Sequence, residues 1–148
     1  EYAQLHRQAT GDADGVTLAR FGLEKALEDL CDSIRVTGRL SMELRVFGLE
    51  HRLEPRVDVT VYRIVQELVG NALKHAKATE LTIDVTRSPG RLSVIVSDDG
   101  AGFDPSTPAE GMGLENVRKR AATLGGHVAI DSVLGKGTTV SLACGVAD

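Results

Sequence analysis

The order of helical and strand-like periodicities along the 148 residues constrains the fold more than any other feature. Apolar side chains recur at three- and four-residue steps, typical of one helix face, near residues 18–37, from Asp58 to Ala76, and from about Gly113 to Leu124. Apolar and polar side chains alternate, as in half-buried strands, around residues 42–46, 81–85, 92–96, 128–130 and 140–142. Asp58 is the predicted N-cap of the second helix.

Short turns separate the strands that are neighbours in sequence. The runs Ser88-Pro89-Gly90 and Gly135-Lys136-Gly137 are typical of hairpin turns. Because helices are few and hairpins are common, we predict an α/β fold: a two-layer α/β sandwich with a mixed sheet of about five strands covered by three helices. This pattern disfavours a doubly wound parallel sheet.

Composition favours one globular domain preceded by a tail. The polar run 11–15 contains two Gly and two Asp, so residues 1–16 are expected to be a tail or linker from an upstream region. Residues 17–148 are then long enough for one domain with a single core. Cys31 and Cys144 lie in apolar periodic stretches, and we expect both to be free cysteines buried in the core.

Charge and hydropathy disfavour two classes of partner, nucleic acids and membranes. The formal net charge is -4 and the isoelectric point is about 5.6, so the sequence disfavours a nucleic-acid partner, which usually requires concentrated positive charge. No run approaches the roughly 20 apolar residues of a membrane span, and residues 1–15 are too polar for a signal peptide. We expect no membrane contact by this fragment.

The second predicted helix carries a group of polar residues at helical spacing. Glu67, Asn71, Lys74 and His75 are four, three and one residues apart, which predicts a polar face turned away from Leu68. One amide oxygen of Asn71, with phosphate oxygens and water, suits Mg²⁺, and Glu67 is placed to hold or deprotonate a water or hydroxyl. The alternative is an ordinary solvated helix face.

The run Asp98–Gly102 (Asp-Asp-Gly-Ala-Gly) begins where an alternating strand ends. A carboxylate at Asp98 accepts a hydrogen bond from an exocyclic amine, the group that distinguishes adenine from guanine. Gly100 and Gly102 allow the backbone to pass close to a flat ring. The alternative is a simple turn.

A third motif, Gly111-Met112-Gly113-Leu114, precedes the last predicted helix. The free N–H groups of a first helical turn and the helix dipole both favour a phosphate there. The basic residues Arg118, Lys119 and Arg120 follow on the same helix. One of them is a candidate phosphate contact, and for at least two of them a solvated basic stripe is the favoured role. A lone Gly-x-Gly is common, but the three motifs in this order together indicate a nucleotide pocket.

These residues resemble the sequence boxes of the GHKL ATPases, the Bergerat-fold proteins that include gyrase, Hsp90, MutL and sensor histidine kinases. Residues 67–75 resemble the N box, 98–102 the G1 box, 111–114 the G2 box, and Gly135–Thr138 the final glycine box. Residues 62–76 and 113–126 are further similar to the histidine kinases that work with LuxR-type response regulators. Two departures are Gly70 inside the N-box helix and a short lid between Phe103 and Gly111.

The resemblance implies a role for each box. Asn71 would coordinate Mg²⁺, Asp98 would bind the adenine amino group, and Thr138 would share a water with Asp98. Glu67 would be the catalytic base or polariser. The remaining nucleotide-binding residues would be Lys74 and His75 near the phosphates, Gly100 and Gly102 beside the base, and Gly111, Met112, Gly113 and Leu114 anchoring the ATP lid.

The resemblance also implies a catalytic domain that binds ATP and Mg²⁺ and donates the γ-phosphate to a histidine on a separate dimerisation domain. None of His6, His51, His75 and His127 has the expected phosphoacceptor context, so this chain should not phosphorylate itself. We expect a cytoplasmic, monomeric fragment of a kinase that acts on a response regulator. The alternatives are a stand-alone GHKL ATPase, a serine kinase of the anti-sigma type, and a non-catalytic ATP-sensing module.

Overall fold

The structure is a computed structural model that describes residues 13–104, 106 and 113–147, without the side chains of 13–15, 75 and 76. The helices are α1 (Ala13–Phe21), α2 (Leu23–Arg35), α3 (Pro55–Asn71) and α4 (Leu114–Thr123), with a π-helical turn (Ala72–Ala76) directly after α3. The strands are β1 (Ser41–Phe47), β2 (Glu80–Ser88), β3 (Arg91–Asp98), β4 (His127–Val133) and β5 (Gly137–Gly145). All five predicted strands are confirmed.

The five strands form one mixed sheet in the order β1-β2-β3-β5-β4. β1 is parallel to β2, whereas the other three pairs are antiparallel. The buried faces of α2 and α3 pack on the sheet in one continuous core, which contains Leu27, Leu30, Val65, Ile83 and Val94. The predicted α/β sandwich with a mixed sheet is therefore confirmed.

The first predicted helix, 18–37, is wrong in its extent because the structure divides it at Gly22. Gly22 has φ +89°, and a Cβ there would lie 2.8 Å from Arg52 Nε. The Arg52 guanidinium uses that space to donate to the carbonyls of Leu18 (2.9 Å) and Ala19 (3.2 Å) at the end of α1. Helix α1 begins at Ala13, inside the predicted tail; residues 1–12 lie outside the described part, so the proposed division between tail and domain stays a prediction.

The predicted N-cap at Asp58 is also wrong. Helix α3 begins at Pro55, and the N-cap Glu54 makes no side-chain capping bond. Proline suits a first helical position because its φ is fixed and its missing N–H has no intrahelical partner there. Asp58 lies one turn inside the helix, where its residue surface is only 2% exposed.

The end of α3 departs from regular helical spacing. After Asn71 the chain forms the π-helical turn, and Lys77 ends it with φ +51° in the left-handed region. The Ala78 N–H bonds the Ala72 carbonyl at 3.2 Å. Lys74 and His75 therefore do not continue the α-helical face that begins at Glu67, which corrects the predicted four-residue face.

The predicted burial of both cysteines is confirmed. Cys31 and Cys144 are buried free thiols, and burial raises the pKa of Cys31 to about 11. In the described ranges, no helix is both long and apolar enough to cross a membrane.

Candidate nucleotide-binding site

A cavity of about 410 Å³ lies between α3, the ends of β3 and β5 that face it, and the start of α4. Part of this space is open to solvent, so the site is an open pocket. Its walls come from segments far apart in sequence: Leu68, Asn71, Val96, Asp98, Gly102, Phe103, Leu114, Thr138 and Val140. The predicted site residues Asn71, Asp98, Gly102, Leu114 and Thr138 are thus brought together.

Strand register explains why polar and apolar groups share this cavity. Asp98 on β3 is paired with Thr138 on the antiparallel strand β5. Val96, two residues before Asp98, is paired with Val140, two residues after Thr138. Residues two apart on a strand lie on the same face of the sheet. The cavity therefore has apolar walls that end in a carboxylate and a hydroxyl.

On the helical side, Leu68 and Asn71 both line the cavity. Residues three apart on a helix are neighbours on its surface. The prediction that the Asn71 face turns away from Leu68 is therefore wrong. Asn71 is nine-tenths buried, so its amide lies at the inner end of α3 and not on a solvated surface.

The Asp98 carboxylate is the acceptor at the sheet end of the cavity. Its Oδ1 accepts the Gly100 N–H at 2.9 Å. Burial raises the pKa of Asp98, while hydrogen bonds from the Gly100 and Thr138 backbone oppose that rise. A ligand amine is a suitable donor to this partly buried carboxylate.

Asp99, the next residue, has a structural role. Its carboxylate accepts the Thr79 hydroxyl at 2.7 Å and the N–H groups of Thr79 and Glu80 at 2.8 and 2.9 Å. The Thr79 hydroxyl is the main reason why the pKa of Asp99 is lowered. Asp99 thus ties the end of β3 to the start of β2, outside the cavity.

The segment after Asp98 lies against the hairpin between β4 and β5. Gly102 has φ +64°, and a Cβ there would overlap the Val133 carbonyl oxygen. The Gly135 N–H donates to the Ala101 carbonyl at 2.6 Å. Only glycine fits at position 102, because the two backbone segments are in direct contact.

Glu67 lies at the entrance to α4. A Cβ on Gly113 would be 2.5 Å from Glu67 Cδ and 2.6 Å from Glu67 Oε2, so the carboxylate packs against the bare Cα of Gly113. Gly113 is the N-cap of α4 with φ +67°, and the helix dipole favours a negative group there. Glu67 is not one of the described residues that line the cavity, and it lies beside the cavity wall.

The other predicted residues are distributed as follows. Gly100 is buried below Asp98, and Lys74 is exposed on the π-helical turn. Gly111, Met112 and the side chain of His75 lie outside what the structure describes. Among the described residues no cluster of three His, Cys, Asp or Glu could hold a metal by itself. The Asn71 amide offers one hard oxygen, a ligand type that suits Mg²⁺ when water and phosphate supply the others.

The sequence interpretation missed two polar contacts at this site. Ser132 of β4 is buried, accepts the Phe103 N–H at 2.9 Å, and lies 2.7 Å from the Thr138 hydroxyl. The available signal was a serine in an alternating strand just before the turn 135–137, with polar Thr138 directly after it. Serine is too common at strand ends for that pattern to indicate a site.

Fold and cavity define a class: a two-layer α/β sandwich with an open pocket between its long helix and its sheet, lined by Asn71 on one side and Asp98 on the other. The chain belongs to the histidine kinase-, DNA gyrase B- and HSP90-like ATPase family, whose profile matches residues 57–146, and within it to the catalytic domains of sensor histidine kinases. The predicted family is therefore confirmed.

Two curated relatives illustrate the similarity. The chain is 33% identical over 128 residues to the signal transduction histidine-protein kinase/phosphatase UhpB of Salmonella typhimurium, covering 80% of this chain and 26% of that protein. It is 32% identical over 132 residues to the nitrate/nitrite sensor protein NarQ of Escherichia coli, covering 86% of this chain and 23% of that protein. The chain thus spans about a quarter of the length of these relatives.

Solved structures show the same fold. The histidine kinase domain of the blue-light activated histidine kinase from Erythrobacter litoralis is 25% identical, with a TM-score of 0.64 over 82% of this chain and 64% of that one. The catalytic domain of histidine kinase ThkA has a TM-score of 0.67 at 15% identity, covering 84% and 90% of the two chains.

Proposed function

We propose that this chain binds ATP with Mg²⁺ and presents the γ-phosphate to a histidine on a dimerisation domain of the same kinase. The observation that carries the proposal is the cavity in which Asp98 and Thr138 end the apolar walls on the sheet side while Asn71 lies on the helix side. A nucleotide needs these two ends, one for the base and one for the phosphates.

The sheet side is the proposed adenine site. Val96 and Val140 supply an apolar surface for a flat ring, and Leu68 faces it from α3. Asp98 accepts a hydrogen bond from the exocyclic amine. Gly102 allows the backbone beside the ring to pack directly on the β4–β5 hairpin. This arrangement favours adenine over a base that has a carbonyl at the same position.

The helix side is the proposed phosphate site. Asn71 would offer one oxygen to Mg²⁺, and the ion would supply neutralisation of phosphate charge. Glu67, against Gly113, is placed to orient or polarise the entering group, and its proposed role is catalytic. Lys74, His75 and the segment 111–114 are the proposed further phosphate contacts.

The partners are proposed from the family. The phosphoacceptor histidine would lie on a dimerisation domain outside this chain, and a response regulator, of the LuxR type by sequence resemblance, would receive the phosphate. Positioning and charge neutralisation would supply most of the rate. The proposed location is the cytoplasm, and the fragment is proposed to be monomeric.

The first test is calorimetric titration with a non-hydrolysable ATP analogue and Mg²⁺. We expect binding by the wild type, little or none with the GTP analogue, and loss of binding in Asp98→Asn. Asp99→Asn is the matched control, because its carboxylate contacts Thr79 and lies outside the cavity. Equal binding of the two analogues by the wild type would contradict the adenine site.

The second test separates the kinase from the alternatives. When the dimerisation domain is added in trans, we expect histidine phosphorylation that Asn71→Ala abolishes. Steady ATP turnover by the isolated chain would favour a stand-alone ATPase. Binding without transfer under any condition would favour an ATP-sensing module.

A further inference from the structure

We propose that Ser132 sets the base specificity of this cavity by holding the Thr138 hydroxyl as a hydrogen-bond acceptor. The inference rests on the proposed function, because it concerns the adenine side of the same site. Ser132 does not line the cavity among the described residues; it acts through Thr138, which does. It is therefore a positioning residue.

Three polar groups surround the Ser132 hydroxyl, whose residue is only 4% exposed. The Phe103 N–H lies 2.9 Å from its oxygen, the Thr138 hydroxyl 2.7 Å, and the Gly137 carbonyl oxygen 3.3 Å. The first can only donate and the last can only accept. The Thr138 hydroxyl can do either.

The single Ser132 proton decides the direction of the Thr138 hydroxyl. A serine hydroxyl has one donor and two acceptor positions. If its proton is directed at Gly137, Thr138 must donate its own proton to Ser132, and all three contacts are hydrogen bonds at once. Thr138 then offers only lone pairs to the cavity.

The consequence is a cavity end that presents acceptors alone. Asp98 is an acceptor, and Thr138 becomes a second one beside it on the paired strand. A 6-amino purine supplies the donor that these groups need, directly or through a water. A 6-oxo purine brings an acceptor to the same place, so buried acceptors face each other without a donor. This lowers the binding affinity for the 6-oxo purine.

The Phe103 contact adds a second consequence of the same hydroxyl. Phe103 lines the cavity, and its N–H donates to the Ser132 hydroxyl. Ser132 therefore contacts two residues of the cavity wall, Phe103 through its backbone and Thr138 through its hydroxyl. Its loss should affect ADP affinity as well as selectivity.

The test compares the dissociation constants of ADP and IDP, which differ only by the 6-amino to 6-oxo exchange and the associated N1 proton. We expect the wild type to prefer ADP, so that its dissociation constant for IDP exceeds that for ADP. Ser132→Ala should lower this IDP/ADP ratio of dissociation constants by about three- to tenfold, the range of one hydrogen bond. Ser132→Cys keeps the buried volume but is a weak acceptor, so its ratio should fall between the two. If Ser132→Ala does not fold, the ratio measured for Ser132→Cys tests the proposal instead.

The chain offers a matched control in Ser97→Ala. Ser97 and Thr139 form a hydroxyl pair of 2.6 Å on the neighbouring strands, and neither lines the cavity. We expect an unchanged ratio there. In a Thr138→Val background, Ser132→Ala should add no further change in the ratio, because its effect acts through that hydroxyl.

The outcomes separate the two proposals. If the wild type does not prefer ADP, the adenine site is wrong and the inference falls with it. If the wild type prefers ADP and both Ser132 variants keep the full ratio, the site stands and the role of Ser132 is overturned.

Discussion

Three aspartates differ in burial and hydrogen bonding, and therefore in how readily their carboxyl groups ionise. Asp98 is partly buried at the cavity, Asp99 accepts three hydrogen bonds from Thr79 and Glu80, and Asp58 is buried inside α3. In the described part of the chain no donor bonds Asp58 Oδ2, and Arg52 approaches it only to 4.0 Å. Of the three, Asp58 is the carboxylate most costly to ionise.

The first prediction concerns Asp58→Asn and pH. Burial raises the pKa of Asp58 from 3.8 to about 6, with Arg52 opposing that rise. The folded state therefore holds this proton to higher pH than the unfolded state does, so its contribution to stability falls as pH rises from about 4 to 6. Asp58→Asn should raise the free energy of unfolding by about 1–3 kcal/mol above pH 7 and change it little near pH 4.

Urea denaturation between pH 4 and pH 8 checks this prediction. Asp131→Asn on β4 is the control, because it makes the same charge change at an exposed position. A gain for Asp58→Asn that is equal at both ends of the pH range would show that the effect is not a titration of Asp58.

At the scale of elements, helix α4 begins and ends with glycines in the same backbone conformation. Gly113 has φ +67° and Gly125 has φ +66°. A Cβ at Gly125 meets nothing within 4 Å, whereas one at Gly113 meets the Glu67 carboxylate. The two positions therefore separate backbone strain from the local contact.

The second prediction is that Gly113→Ala and Gly125→Ala both lose about 1 kcal/mol of stability, from the left-handed conformation alone. Only Gly113→Ala should also lose phosphotransfer to the added dimerisation domain, because its methyl group displaces Glu67. Denaturation and transfer assays on both variants check this. Equal transfer by the two variants would remove Glu67 from the proposed catalytic role.

Elements were predictable from sequence where periodicity alone determines them. The strands and α4 follow their apolar patterns, whereas the division of α1 from α2 depends on Arg52, which is distant in sequence and fills the space beside Gly22. The π-helical turn after Asn71 was not predictable either, because a one-residue change in helical spacing leaves no mark on such a short segment. Pro55 was visible, but the acidic Asp58 suggested a later start.

At the scale of the whole molecule, the cavity depends on contacts that sequence spacing does not give. The motifs drew attention to Asn71, Asp98 and Gly102, which the structure brings together around one cavity, while their roles stay predictions. The apolar walls Val96 and Val140 follow only from the pairing of β3 with β5. Ser132 required the register of β4 as well, so a pattern search had no means to find it.

The last prediction concerns nucleotide-linked stability. Because α3, β3, β5 and α4 all line one cavity, a bound nucleotide should stabilise the folded state as a unit and not one loop. A ligand that binds only the folded state adds about 2.7 kcal/mol at a hundred times its dissociation constant. With ADP and Mg²⁺ at that excess, the free energy of unfolding should rise by this amount, and amide exchange should slow in α3, β3 and β5 together.

Substitutions of the neighbouring residues Asp98 and Asp99 supply the test variant and its control for that experiment. Asp98→Asn should abolish the increment because it removes the negative charge and replaces one oxygen of the proposed base acceptor by an NH₂ donor. Asp99→Asn should lower the starting stability, since the bonds to Thr79 and Glu80 are weakened, yet retain the increment. Loss of the increment in both variants would show that any disturbance at the end of β3 prevents binding, and not the loss of the Asp98 carboxylate in particular. Slowed exchange confined to α4 would mean that the nucleotide binds at that helix without contacting the sheet.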